Sequence, residues 1–262
     1  MVILLLSTII FAGCVGGGTT LNSGGRNIEK IIIGIDDEFP PICFHDERNK
    51  LVGFDIDLAK ETARRMGVEI EFKPIDWDNK REEITSGHVD IIWNGLDITA
   101  ERKEYMIFTK PYMDDRQILL VKKDSTQNIY TEDDLEGKIV GVQAGSTSED
   151  YLQQDVKLKN SLSDYKAYKK FNDMLEALER DEINVLLCDE LIARYETKKH
   201  PNHFELIDAR IDFVVEMAVG FRKDDTELRD RVQEIFDEMV KDGTAKEISE
   251  KWFQADLIKT RR

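Results

Sequence analysis

Cysteine, histidine and proline are scarce in this chain of 262 residues, which contains three, four and five of them respectively. The cysteines, Cys14, Cys43 and Cys188, lie far apart, so none of the C-x-x-C spacings that hold zinc is present. The close histidine pair, His200 and His203, encloses a Pro-Asn turn, which favours a surface loop. We therefore expect no metal site, and we expect Cys43 and Cys188 to be buried and unpaired, although pairing stays possible outside the cytoplasm.

Long hydrophobic runs are absent after residue 14, and basic residues are outnumbered by acidic ones, 37 to 53, for a net charge of −16. No later segment approaches the length of about 20 apolar residues that a spanning helix needs. A negative field of this size repels nucleic acid and anionic membranes, so neither is an expected partner. The sequence also lacks G-x-S-x-G, P-loop and H-E-x-x-H patterns, so the common hydrolase and nucleotide sites are excluded and no cofactor is expected.

The N-terminus carries a targeting signal. Residues 2–10 are almost entirely apolar, and Phe-Ala-Gly-Cys then ends at Cys14, which resembles a lipobox with an acylated cysteine. The basic residue that normally opens such a signal is missing, and the alternative is a buried strand with a chance cysteine. We predict a signal peptide at 1–14 and, from its five glycines, a flexible tether at 15–26. The predicted location is extracytoplasmic, with lipid anchoring through Cys14 as the sole membrane contact.

From residue 27 the pattern alternates between strands and helices. Residues 55–66 place small and apolar side chains on one helical face, and Gly67 follows as a terminator. Thr99 is typical of an N-cap for a helix at 100–104. A strand is predicted at 117–122, and a second alternating series then leads to a strand at 214–221 and two closing helices. Two such series predict an α/β fold with two lobes.

Three segments at predicted strand ends carry the polar chemistry. Residues 93–102 expose backbone at a glycine and end on an arginine, which can fork onto a carboxylate. Residues 143–147 pass from strand to glycine to hydroxyl groups at a helix start, which suits an anion. Residues 188–190 place a carboxylate at a strand end, which suits an ammonium group. Each alone is more often a cap or a turn, but together they complement a zwitterion.

These segments, with IGIDDEFPPICF at 33–44, LVGFDIDLAK at 51–60 and the closing DGTAKEISEKWF at 242–253, resemble the polar-amino-acid branch of the extracytoplasmic solute-binding proteins that serve ABC importers. The resemblance implies a two-lobed periplasmic-binding-protein-like α/β fold, with two strands crossing between the lobes and the ligand in the cleft. The implied first lobe is 27–115 with 219–262, and the second is 116–218.

The resemblance also implies roles for individual residues. Arg102 corresponds to the arginine that holds the ligand's α-carboxylate, and Asp189 to the carboxylate that takes the α-ammonium. Phe39 and Trp77 would enclose the ligand side chain, although either could instead serve the core. The remaining implied ligand-binding residues are Asp36, Asn94, Gly95, Asp97, Ser146 and Thr147.

The implied function is to bind a free amino acid and deliver it to the permease of an ABC transporter. The acidic positions Asp36 and Asp97 favour arginine or lysine, whereas pairing of Asp97 with Arg102 would leave a neutral ligand such as glutamine or cystine. Two other classes stay open. A dehydratase-like enzyme on this fold would use Asp97 or Asp36 as acid or base, and a sensor module would need a spanning helix and a cytoplasmic domain. We expect a binding protein and not an enzyme.

Overall fold

The computed structural model describes residues 22–23, 26–207, 211 and 214–259. The predicted signal peptide with Cys14 lies outside these residues, as does most of the predicted tether. At the end of the tether, two short strands pair antiparallel, namely β1 (Asn22–Ser23) and β2 (Arg26–Asn27). In the described part of the chain, no helix has the length and apolar character needed to cross a membrane.

The first of two large sheets has five strands in the order β7-β3-β8-β16-β9. Its parallel part pairs β3 with β7 and β8, and β16 runs antiparallel to both of its neighbours. A small three-stranded antiparallel sheet, β4-β5-β6, adjoins it. The strands are β3 (Lys30–Ile35), β4 (Glu38–Phe39), β5 (Cys43–His45), β6 (Leu51–Val52), β7 (Glu69–Pro74), β8 (Ile91–Ile92), β9 (Met106–Phe108) and β16 (Gly220–Arg222), and the helices are α1 (Phe54–Met66), α2 (Lys80–Thr85), α3 (Arg102–Tyr105), α8 (Thr226–Asp242) and α9 (Thr244–Phe253).

The second sheet has the order β12-β11-β13-β10-β14, and β15 pairs with the remaining part of β10. Strands β11, β12 and β13 are parallel, so their carboxyl ends lie at one edge, where loops and helix starts collect. The strands are β10 (Met113–Lys122), β11 (Ile139–Gln143), β12 (Asp164–Tyr168), β13 (Val185–Asp189), β14 (Phe204–Ile207) and β15 (Val214–Met217), and the helices are α4 (Thr147–Gln154), α5 (Val156–Ser161), α6 (Phe171–Glu179) and α7 (Glu190–Lys199).

Two chain segments link the sheets, and they pair with each other. Residues 113–116 of β10 pair antiparallel with β15, while residues 117–122 pair with β13 and β14 in the second sheet. The strand predicted at 117–122 therefore begins four residues earlier in the structure. The polar sequence of residues 113–116 does not indicate a strand, but β15 supplies their hydrogen-bond partners. The single strand predicted at 214–221 is wrong, since the chain leaves β15 and enters β16 of the first sheet.

The core follows the predicted helical stripes. Ile56, Ala59, Ala63 and Met66 of α1 are all buried, and Gly67 ends the helix in the left-handed conformation at φ 72°. The helix predicted at 100–104 instead begins at residue 102. There the hydroxyl of the preceding threonine still accepts the first helical N–H, at 3.1 Å.

The two later cysteines are buried and free, as predicted. Cys43 lies in β5, and Cys188 lies in β13 next to the site residue Asp189. Burial raises the pKa of both thiols, so neither has thiolate character at neutral pH.

Candidate functional site

A small cavity lies between the two sheets, and all ten predicted ligand-binding residues line it. The first sheet's side contributes six of its residues from strand ends and loops, and α3 contributes an arginine. The second sheet's side contributes the rest from the carboxyl ends of β11 and β13 and the start of α4. The lining residues are Asp36, Phe39, Trp77, Asn94, Gly95, Asp97, Arg102, Gln143, Ser146, Thr147 and Asp189.

Arg102 is the buried cation of this cavity, with 1% of its surface exposed. Its Nη1 donates to the backbone carbonyl of Asp97 at 3.0 Å, and its Nη2 donates to the carbonyl of Gly145 at 3.2 Å. Its Nε–H is buried and has no hydrogen-bond partner in the described part of the chain. The guanidinium is thus held by carbonyl oxygens, and its unpartnered Nε–H is available to an anion.

Asp97 lies in the loop after β8, which is tied to the crossing strand β15 by a bridge to Met217. One carboxylate oxygen accepts a hydrogen bond from the hydroxyl of Thr147, and the other has no partner in the described residues. In the alternative, Asp97 pairs with Arg102. Arg102 donates to the backbone carbonyl of Asp97 and not to its carboxylate, but its charge still lowers the pKa of that carboxyl group. Burial, followed by the neighbouring Asp189, raises the pKa of Asp97 to about 7.

Asp189 ends β13 and is held by a polar chain that runs into the second sheet. The amide of Gln117 donates to Asp189 Oδ1, and the hydroxyl of Ser148 donates to Gln117 in turn. The carboxyl group of Asp115 contacts the Asp189 carboxyl directly. This support fixes the direction in which Asp189 presents its remaining oxygen.

Aromatic side chains and a backbone turn form the other wall. Phe39 and Trp77 are each 7% exposed, and both line the cavity while also packing against core residues, so the two expected roles coexist. Gly95 adopts φ 56°, and a Cβ there would lie 3.2 Å from the Phe39 ring. The side-chain oxygen of Asn94 is buried and has no partner among the described residues.

Asp36 connects the two sides of the cavity. Its Oδ2 accepts from the amide of Gln143 at 2.5 Å, and its Oδ1 accepts from the Glu38 N–H at 3.0 Å. Burial raises the pKa of Asp36, and the nearby Asp37 and Glu38 add to the effect. Three carboxyl groups therefore line the cavity, those of Asp36, Asp97 and Asp189.

Two residues of this site were missed in the sequence. Gln143 ends β11 directly before the predicted anion-binding turn, so the strand-end argument applied to its neighbours indicates it too. No comparable signal in the sequence indicates Lys80. In the structure its side chain is 6% exposed and lies over the Trp77 ring. Its ammonium group donates to the carbonyls of Gly145 at 2.6 Å and Trp77 at 3.1 Å. Burial, and then Arg102, lowers the pKa of Lys80 to about 7.

At Gly145 the backbone of the second sheet's side closely approaches the backbone of the first sheet's side. Its carbonyl accepts from both Lys80 and Arg102, and a Cβ at Gly145 would lie 2.8 Å from the Cα of Asp78. No real Cβ contact is that short. A side chain at this position therefore forces the two sides apart.

We expect Gly145→Ala to disfavour the closed arrangement of the two sheets and to enlarge the radius of gyration measured by X-ray scattering. Gly137→Ala is the matched control, because Gly137 has almost the same φ, 70° against 69°, and a Cβ there meets nothing within 4 Å. Both substitutions carry the same left-handed backbone penalty of about 1 kcal/mol. An equal scattering profile for the two variants would contradict this prediction.

Metal chemistry finds no support in the same region. Among the described residues, no group of three or more Cys, His, Asp or Glu side chains is placed to hold a metal ion. His203 instead contacts Glu179 at 2.6 Å near the surface loop in which it was predicted.

The model of the family described as bacterial extracellular solute-binding proteins, family 3, matches residues 31–255 of this chain. The chain belongs to that family, which confirms the resemblance and the two-lobed α/β fold predicted from it. Each lobe consists of one of the two large sheets together with its helices. The family is one of binding proteins, so this chain is a binding protein and not an enzyme, and it acts outside the cytoplasm.

Individual relatives are similar over most of their length. The L-cystine-binding protein TcyJ of Escherichia coli is 34% identical over 229 residues, covering 87% of this chain and 84% of the relative. The arginine-binding extracellular protein ArtP of Bacillus subtilis is 28% identical over 264 residues, covering 98% of each chain. Among solved structures, the substrate-binding protein of an ABC uptake transporter from Streptococcus pneumoniae with bound histidine is similar at TM-score 0.84 and 36% identity, covering 88% of this chain and 95% of that one.

Proposed function

We propose that this chain binds a free basic L-amino acid, arginine or lysine, between its two lobes and delivers it to the permease of an ABC importer. The observation that carries amino-acid binding is the set of unpartnered buried atoms on the cavity wall. Arg102 offers a donor to an α-carboxylate, while Asp97 and Asn94 each offer an acceptor that can join Asp189 in holding an α-ammonium. Buried polar groups without partners are rare in native proteins, and here they match a zwitterion.

The preference for a basic side chain rests on the charge balance of the same cavity. Asp36, Asp97 and Asp189 line it together with the guanidinium of Arg102, while the nearby Lys80, whose pKa is lowered to about 7, does not line it. A zwitterion adds no net charge, so an acidic surplus persists in the cavity, which Phe39 and Trp77 also line. A cationic side chain lying between the aromatic rings would offset this surplus, and it would gain cation–π attraction as well.

L-Cystine is the second candidate ligand, because the 34% identical relative is named an L-cystine-binding protein. It carries a second ammonium group, which would also face Asp36. The proposed lipid anchor at Cys14 complements either candidate, since a tethered receptor stays near its permease.

A thermal-shift screen of L-arginine, L-lysine, L-histidine, L-glutamine and L-cystine tests the proposal. An amino acid present at a hundred times its Kd stabilises the folded state by about 2.7 kcal/mol, which raises the Tm of a chain of this size by roughly 5–10 °C. We expect the largest shifts from arginine and lysine. A shift from glutamine or cystine alone would contradict the basic preference, and no shift from any amino acid would contradict the receptor function.

Substitution at the distal carboxylate sharpens this test. Asp36→Asn should reduce the shift produced by arginine much more than any shift produced by glutamine. Asp37→Asn is the matched control, because Asp37 is adjacent in sequence, does not line the cavity and pairs with His45 at 3.6 Å.

A further inference from the structure

Asp115 is a buried carboxyl group that lies behind the cavity wall. It belongs to β10, two residues before Gln117, which pairs with Asp189 in the sheet. Side chains alternate along a strand, so Asp115 and Gln117 share a face, and both are buried at 3% and 2% exposure. Asp115 therefore lies beside Asp189 on the same face of the sheet.

The buried carboxyl group of Asp115 interacts directly with the partly buried carboxyl group of Asp189. Neither Asp115 oxygen makes a regular hydrogen bond to a donor in the described residues. The closest donor is the backbone N–H of Arg116, whose guanidinium points away and forms an ion pair with Glu190 at 2.8 Å. Two carboxylates cannot both ionise at this distance without a large cost, so the contact requires a proton.

The other groups around Asp115 favour that proton. Asp97 adds a third buried carboxyl group, and the neutral Cys188 thiol lies beside it. The charge of Arg102 acts in the opposite direction on Asp189, whose pKa it lowers. Burial raises the pKa of both Asp115 and Asp189, and the charge of Asp189 raises that of Asp115 further.

We propose that Asp115 and Asp189 hold one proton between them and that an incoming α-ammonium group displaces it, so that amino-acid binding releases a proton. In this step the O–H bond of Asp115 breaks and the proton passes to a buffer base, which leaves two carboxylates facing one ammonium. The positive charge of the ammonium group attracts both carboxylates. This attraction offsets the repulsion that makes it costly for both carboxyl groups to be ionised in the free protein. The inference rests on the proposed function. Asp115 acts through Asp189 as a positioning residue.

Titration calorimetry with L-arginine measures the proton directly. The binding enthalpy is recorded at one pH in phosphate, Pipes and Tris, whose ionisation enthalpies differ, and the slope gives the number of protons exchanged. We expect wild type to release a proton fraction of about one half or more in a pH range above the ordinary titration range of an aspartate, because the pKa values of both carboxyl groups are raised. In that range its Kd should fall as pH rises, by up to about tenfold per pH unit, the limit for one proton.

Asp115→Asn keeps the shape and places an amide donor against Asp189, but it has no proton to release. We expect its proton number to fall close to zero and its Kd to lose this pH dependence. Glu196→Gln is the matched control: Glu196 is a buried carboxyl group of α7, 2% exposed, its pKa is raised by burial, and it does not line the cavity. Its removal should leave proton release unchanged. If Asp115→Asn does not fold, as judged by thermal unfolding, Asp115→Ser serves in its place.

Unchanged proton release in the Asp115 variant would overturn the inference, and its loss only in Asp97→Asn would assign the proton to Asp97 instead. Absence of binding heat with every amino acid would contradict the proposed function, which is a separate result. If an amino acid other than arginine binds, the measurement is made with it, because every such ligand carries an α-ammonium group.

Discussion

Arg102→Ala is expected to reduce amino-acid affinity by about 30-fold to several thousand-fold while the protein stays folded. Removing one member of a desolvated, charge-assisted pair typically costs about 2–5 kcal/mol, which gives this range at about 1.4 kcal/mol per factor of ten. Arg102 is 1% exposed, and its free Nε–H lines the cavity. Titration calorimetry with L-arginine measures the change, and circular dichroism verifies the fold.

Two further variants test whether the effect depends on the shape of the Arg102 side chain and whether it is specific to the cavity. Arg102→Lys keeps the charge but removes the planar fork, so it should bind more weakly than wild type and more tightly than the alanine variant. Arg64→Ala is the control, because Arg64 is an exposed arginine of α1 that pairs with Glu61 at 2.8 Å away from the cavity. A folded Arg102→Ala protein that binds within a few-fold of wild type would show that another residue holds the α-carboxylate.

The segments 93–102, 143–147 and 188–190 could be predicted to gather at the cavity because each lies at a strand end in the sequence, whereas Asp36, Phe39 and Trp77 were implied by the family resemblance. Carboxyl ends of parallel strands meet at one edge of a sheet, so Asp36, Gln143 and Asp189 lie near the cavity for the same reason. Glycine and hydroxyl residues next to such ends mark the exposed backbone that approaches a ligand. These features are local in the sequence, which is why they could be recognised without knowledge of the tertiary structure.

Asp115 and Lys80 could not be predicted in this way. Asp115 occurs in the polar segment Asp-Asp-Arg, which has the composition of a loop, and it becomes strand only because β15 pairs with it. Its contact with Asp189 depends on the register of an antiparallel pairing across more than 70 residues of sequence. Lys80 has the pattern of an exposed helical lysine, and its burial results from the approach of the second lobe at Gly145.

The boundaries of the crossing strands were the weakest part of the prediction for a related physical reason. Residues 218–219 separate β15 from β16, yet the whole stretch from 214 to 221 is apolar enough to suggest one continuous strand. The break occurs where the chain passes from one sheet to the other, and hydrophobicity alone does not encode that change. In loop 96–98, the backbone N–H of Ile98 donates to the carbonyl of Glu216 at 2.8 Å, and the carbonyl of Leu96 accepts from the N–H of Ala218 at 2.9 Å. These hydrogen bonds connect the site directly to the crossing strands.

Asp55→Ala is expected to lower the free energy of unfolding by about 3 kcal/mol or more. Asp55 is fully buried at the start of α1, and it accepts from the N–H of Gly95 at 2.6 Å and from the hydroxyl of Tyr112 at 2.9 Å. Alanine leaves both donors buried without a partner, at about 1–3 kcal/mol each. Because Gly95 lines the cavity, the substitution should also weaken amino-acid binding. Urea unfolding measures the stability change.

Asp55→Asn separates this hydrogen-bonding role from the charge. Burial raises the pKa of Asp55 to about 7, whereas its value in an unfolded chain is near 3.8. Between these values the native state binds more protons than the unfolded state, so this residue makes the wild type lose stability as pH rises from about 4 to about 7. Asparagine keeps an acceptor for Gly95 and Tyr112 and does not titrate. The stability of the asparagine variant relative to wild type should therefore increase as the pH rises from about 4 to about 7. A pH-independent difference between the two proteins would show that Asp55 is ionised throughout, and equal losses in the asparagine and alanine variants would show that its oxygens do not support the Gly95 turn.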